Sequence, residues 1–237
     1  VAEVIGVTFI YPHARRMTPI RPRVDRVLWR SLMRSAAPVG TALLLTALVN
    51  RIDFMMLEAM LSLEAVGRYS AAYRITAMAE KLPLLMMATL FPIMSQLAIT
   101  DRDRLRRVYR RAVAHLALIV MPIAAVVTLL APSLLEFAFG PEYRAAGTAL
   151  RVLIWATVCL YLALTGGNLL ISVGRARDSL WALVLGAGIN IVLNLLLIPT
   201  YGIVGAAFAT AVSFAVILVV TTLAVERVFA TAVTGTP

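Results

Sequence analysis

Cysteine is almost absent from this chain: Cys159 is the single one, in the middle of an apolar run, so no disulfide or Cys-based metal framework is open to it. Histidine is nearly as scarce. His13 lies in a basic leader and His115 near the end of an apolar run, both without Asp, Glu or Cys at ligand spacing, so neither is read as a metal ligand. Charge is thin as well, at 14% of residues against about 25% in soluble proteins. No nucleophile with an attendant base, no paired carboxylates in a soluble cleft and no metal motif is present, so the chain does not read as an enzyme and no cofactor is expected. What is abundant is grease. Hydrophobic residues make up 61% of the sequence, which points to a protein dissolved in lipid.

The apolar residues come in long runs without Asp, Glu, Lys or Arg: 82–100, 112–135, 152–174 and 179–201, the last continuing to 225. Crossing a hydrocarbon core of about 30 Å takes about 20 helical residues. Strands of a β-barrel would be about 10 residues long and alternate apolar with polar, which these runs do not. The sequence therefore predicts an all-α polytopic bundle of about six transmembrane helices: A over 35–61, B over 66–98, C over 112–131, D over 147–173, E over 178–198 and F over 202–226. Pro132, Gly140, Pro141, Gly174, Pro199 and Gly202 fall at or just beyond helix ends, while Pro83 and Pro92 predict kinks within B. In domain terms, 1–34 reads as the end of a preceding helix plus a basic cytoplasmic linker, 35–230 as a six-helix lobe and 231–237 as a short tail. The stub "VAEVIGVTFIY" is too short for a cleavable signal and its arginines follow it, so a truncated start is expected.

The formal charge of +10 invites a nucleic-acid reading, but its placement explains it otherwise. Arginines crowd 15–34, 102–111 and 175–177, whereas the alternate loops at 62–70, 133–147 and 198–202 are poor in them. Positive loops stay cytoplasmic, which places both chain ends on the cytoplasmic side of an inner membrane. No aromatic interleaving accompanies the basic clusters, so no nucleic-acid partner is expected. Contact with anionic membrane lipids at "RDRLRRVYRR" is, with Leu105, Val108, Tyr109 and Ala112 as the apolar face.

The unexpected charges lie within the spans. Arg51, Asp53 and Glu58 interrupt A; Arg74, Glu80 and Lys81 interrupt B. Each such charge costs about 2.5 to 3.5 kcal/mol at the bilayer centre, so these residues should face a bundle interior or a watery cavity. If A and B form a hairpin turning at 63 and 64, Asp53 and Arg74 lie level, roughly 15 Å inside, and a clamp between them is one reading. The other is that Arg51, Arg74 and Lys81 meet an anionic ligand, with Asp53 and Glu80 pairing or tuning them. The same register puts Glu58 and Tyr69 near the outer surface. Asn168 in D and Asn190 and Asn194 in E belong to polar stripes at helical spacing; these are either glue between helices or the wall of a cavity.

Four segments, "RIDFMMLEAMLSLEAVGRYSAAYRI", "LFPIMSQL", "LLEFAFGPEYRAAGTALRVL" and "GINIVLNLLLIPTYGIVGAAFATAVS", resemble in order the C-terminal half of O-antigen type polysaccharide flippases. These belong to the multidrug, oligosaccharidyl-lipid and polysaccharide exporter superfamily. The resemblance implies one lobe of a two-lobe exporter, lacking its N-terminal lobe. It further implies alternating-access flipping of a lipid-linked oligosaccharide on polyprenyl diphosphate, for lipopolysaccharide or other polysaccharide biosynthesis beside a polymerase machinery. On that reading Arg51, Arg74 and Lys81 hold phosphate, Asp53 and Glu80 tune them, and Asn168, Asn190 and Asn194 meet sugar hydroxyls. A multidrug and toxin extrusion cation antiporter, a flippase for lipid-linked peptidoglycan precursor and a non-transporting scaffold of polysaccharide assembly are the competing readings.

Overall fold

A computed structural model describes residues 25–78 and 81–233, and every regular element among them is helical. The chain forms two units, Val1–Ala37 and Pro38–Pro237. The described part of the first is the beginning of α1 (Arg26–Met60), started by Asp25, whose Oδ1 accepts from the backbone N–H groups of Val27 and Leu28 at 2.9 and 3.1 Å.

The second unit holds the rest of α1, then α2 (Leu63–Met78), α3 (Lys81–Thr100), α4 (Arg102–Phe139), a 3-10 turn (Pro141–Ala146), α5 (Gly147–Ser172) and α6 (Ala176–Val233). Helix α2 follows a two-residue break, and Ser62 Oγ accepts from the Ala65 N–H at 3.2 Å to start it. Span B is described as α2 and α3 on either side of residues 79 and 80, which lie outside the described residues, and α3 continues through Pro92.

The basic stretch after α3 is helical rather than a loop. Asp101, in an extended conformation, accepts from the Arg104 N–H at 2.8 Å, Asp103 complements the positive end of the first turn, and arginine is a strong helix former. The 38 residues of α4 reach about 57 Å, nearly twice the hydrocarbon thickness, so its arginine-rich turns project beyond the bilayer. Pro132 lies inside this helix rather than at its end, and Gly140, at φ 113°, closes it with its N–H on Glu136 O.

Helix α6 is a hairpin. Its 58 residues would stretch about 87 Å if straight, but Gly202 breaks it at φ 57°, ψ −135°. Ser213 Oγ then donates to Gly186 O at 2.8 Å across 27 residues, which brings the two arms side by side, as expected for E and F. Among the described residues, Arg102–Phe139, Pro141–Ser172 and Ala176–Ala230 are long and apolar enough to cross a membrane.

Packing sorts the bundle into two ends. Leu57, Tyr69, Leu135, Leu150, Ile198 and Ala206 form one buried cluster; Met94, Leu105, Leu169, Val225 and Phe229 form another. The first gathers the breaks near 61, 140 and 202, the second those near 101 and 174.

Candidate functional site

A buried carboxylate organises the first of these ends. Asp53 lies in the last two turns of α1, about 10 Å before its end, and is 4% exposed. Tyr69 of α2 donates its hydroxyl to Asp53 Oδ2 at 2.9 Å, and Thr210 of the second α6 arm lies 2.6 Å from the same oxygen. Asn194 of the first arm donates Nδ2–H to Asp53 Oδ1 at 2.7 Å and to Asn190 Oδ1 at 3.1 Å. One acid therefore ties α1, α2 and both arms of α6 at a single level.

The sequence places these groups by periodicity and by the two turns. Asn190 and Asn194 are four residues apart and share a helical face; Asn194 and Thr210 each stand eight residues from Gly202, so the hairpin makes them level. Helix α1 ends at Met60 and α2 begins at Leu63, which centres the first turn on 61 and 62. That is two residues earlier than expected, and in an antiparallel pair it moves the partner by about four. Asp53 accordingly meets Tyr69 instead of Arg74, and the Asp53–Arg74 clamp is not formed. Tyr69 itself is fully buried in the protein.

The site holds its carboxylate by hydrogen bonds without a cation. A buried carboxylate is ordinarily paired with a cation or heavily hydrogen-bonded. Here the donors are all neutral, and among the described residues no ion pair includes Asp53; the pairs Arg68–Glu64, Arg144–Glu136 and Arg175–Asp178 lie elsewhere. The arrangement can serve two protonation states. With Asp53 ionised, Thr210 donates to it. With Asp53 protonated, the carboxyl donates to Thr210 Oγ1, which turns its own proton to Ala206 O, 3.0 Å away.

The amides leave further capacity. Asn194 Oδ1 and Asn190 Nδ2 are buried without a hydrogen-bond partner among the described residues. Exchanging the Asn194 oxygen and nitrogen would set Oδ1 against Asp53, an arrangement that only a proton or cation between them would favour.

The other sequence candidates disperse. Arg51 and Arg74 are exposed on the surface of their unit, and Glu80 and the Lys81 side chain fall outside the described residues. Asn168 is half-buried and donates to Leu164 O of its own helix at 2.8 Å. The structure thus joins Asp53, Asn190 and Asn194, and adds Tyr69 and Thr210, which sequence reasoning did not select. The misplaced turn had set Arg74 rather than Tyr69 level with Asp53; Thr210 carries no signal beyond its eight-residue distance from Gly202.

Comparison with known proteins bears on the chain as a whole. The family described as "polysaccharide biosynthesis protein" matches residues 1–147. The chain is 28% identical over 69% of its length to a probable low-salt glycan biosynthesis flippase, Agl15, of Haloferax volcanii, covering 35% of that protein. It is 30% identical over 68% of its length to a probable flippase, AglR, of the same organism, again covering 35%. The chain therefore spans about a third of the length of these relatives. Among solved structures it superimposes on an outward-facing multidrug resistance MATE family transporter of the MOP superfamily with TM-score 0.68 at 23% identity, covering 81% of this chain and 43% of that one. A MOP superfamily transporter from Pyrococcus furiosus matches at TM-score 0.66 and 25% identity, with the same coverages.

Proposed function

Because the chain belongs to the polysaccharide biosynthesis protein family, we propose that it acts as one lobe of an inner-membrane exporter that flips a polyprenyl-diphosphate-linked oligosaccharide by alternating access. The substrate class follows the relatives named as flippases. A facing second lobe completes the cavity, and Arg51 and Arg74, exposed on the lobe, meet the diphosphate together with Lys81. Arginine suits that role because its guanidinium can grip two phosphate oxygens at once. Asn168 remains the candidate for sugar hydroxyls. Asn190 and Asn194 are reassigned from sugar to the Asp53 network, where their bonds lie.

The observation that carries the transport reading is Asp53 itself. An ionisable side chain inside a membrane bundle is costly and is by default functional. Discharging it by a proton or a monovalent cation alters the link between α1, α2 and the α6 hairpin, and so can couple an ion gradient to the tilting of helices. The test is rescue of surface polysaccharide in a flippase-deficient strain by the full-length gene carrying Asp53→Asn. Loss of rescue with normal membrane insertion is expected; undiminished rescue would reject Asp53 as the coupling group.

The same acid also suits a multidrug cation antiporter, and the likeness to the MATE fold keeps that second reading in play. Proteoliposomes of the full-length protein separate the two. Uptake of a cationic dye without movement of lipid-linked sugar would reverse the assignment.

A further inference from the structure

At the opposite end of the bundle from Asp53, α4, α5 and the second arm of α6 enclose a groove of about 280 Å³ whose chemistry changes along its length. Its mouth is polar, formed by Tyr109, Arg110 and Thr222. Its trough is apolar: Val113, Ala114 and Ala117 form one wall, facing Leu162 and Leu218. The wall follows from spacing, since 110, 113, 114 and 117 recur at i, i+3, i+4 and i+7 and make one stripe of α4. Small residues after the arginine leave the space open. From Arg110 to Ala117 the stripe runs about 10 Å, a third of the hydrocarbon thickness.

Charge gathers at the mouth, where Glu226 and Arg227 of α6, both exposed, lie about one turn beyond Thr222 and nearly offset each other. Arg102, Arg104, Arg106, Arg107, Arg110 and Arg111 are all exposed, against Asp103 alone within the same ten residues. Arg106 is occupied over the Phe229 ring, its guanidinium carbon 5.7 Å from the centroid, which braces this end of α4 against α6. Arg107, one turn before Arg110, adds a second guanidinium beside the mouth. A free anion would use only the mouth, and an apolar helix of a partner only the trough.

The geometry points to a binding site for one anionic glycerophospholipid of the surrounding leaflet, with its phosphate at Arg110 and Arg107 and one acyl chain in the trough. This occupant satisfies both halves with one molecule. It is a resident lipid rather than the transported one, and the assignment does not depend on what the protein flips.

Full-length protein in nanodiscs with equal phosphatidylglycerol and phosphatidylcholine, released and analysed by native mass spectrometry, tests it. Wild type should retain one phosphatidylglycerol per chain in preference to phosphatidylcholine. Arg110→Gln should lower that preference about fivefold, the equivalent of one basic residue near a lipid surface. Ala114→Phe, which fills the trough from an exposed position, should lower retention with the charge intact, and glycerol phosphate should not compete. Arg104→Gln removes the same charge outside the groove and should change nothing. Equal loss in Arg104→Gln and Arg110→Gln, full retention in Ala114→Phe, competition by glycerol phosphate, or no preference in wild type would each overturn the site.

Discussion

Asp53 holds two roles that a substitution can separate, because its bonds stabilise the bundle while its charge is a property of one protonation state. Asparagine keeps the shape and one acceptor oxygen for Tyr69 and Thr210. Alanine leaves Tyr69, Asn194 and Thr210 without the group they converge on. An interhelical hydrogen bond in a membrane protein contributes about 0.6 kcal/mol on average and about 1.7 at most, so three amount to roughly 2 to 5 kcal/mol. Asp53→Ala should lose that much in denaturant unfolding in mixed micelles, while Asp53→Asn stays within about 1 kcal/mol of wild type. Equal losses would mean that the site is held by packing and that the bonds are incidental. Three of the five residues were legible in the sequence because a polar side chain stands out against an apolar run. Tyr69 and Thr210 were not, since hydroxyls are common in such runs and their selection here depends on tertiary level.

At the scale of elements, the two turns decide which residues meet. Span D was read at 147–173 and is found as Gly147–Ser172, because Gly140 and Pro141 break the chain before it and the charge-free run 152–174 ends in glycine. The first hairpin was harder: Leu61, Ser62 and Leu63 give periodicity no landmark, and an error of two residues displaced every cross-helix partner. In the α6 hairpin the landmarks are glycines with different tasks. Gly202 sits at φ 57°, ψ −135°, a region that residues bearing a Cβ rarely adopt, at a cost of about 1 to 3 kcal/mol. A Cβ on Gly205 would run into the Leu197 carbonyl, backbone that cannot turn aside, and overpacking of this kind costs about 1 to 3 kcal/mol. A Cβ on Gly188 meets open space, and alanine there gains up to about 1 kcal/mol of helix propensity. Thermal unfolding in detergent should therefore find Gly202→Ala and Gly205→Ala destabilised and Gly188→Ala unchanged or stabilised. A Gly205→Ala protein as stable as wild type would show that the arms are free to slide.

For the whole molecule, the alternation of ends visible in the two core clusters is what gives the arginine pattern its meaning. The breaks near 101 and 174 sit at one end of the bundle and those near 61, 140 and 202 at the other, so arginines at 102–111 and 175–177 mark a single side. The sequence alone supplied that asymmetry, although it took the first of these segments for a loop rather than the projecting turns of α4. The orientation we propose rests on the tendency of basic loops to stay in the cytoplasm. Cys159 is the single cysteine of this chain, so Cys159→Ser, with any cysteine of the second lobe likewise replaced, gives a thiol-free background in which to test the inference. Arg104, Glu142 and Arg177 are exposed positions at alternating ends of the bundle, and each can carry a lone cysteine. In intact cells a membrane-impermeant maleimide should react with Glu142→Cys only, and permeabilisation should expose Arg104→Cys and Arg177→Cys together. Labelling of the two arginine positions before permeabilisation would invert the lobe. It would also place the Arg110 groove in the outer leaflet and Asp53 nearer the cytoplasmic surface, so that the direction in which an ion reaches the acid reverses with it.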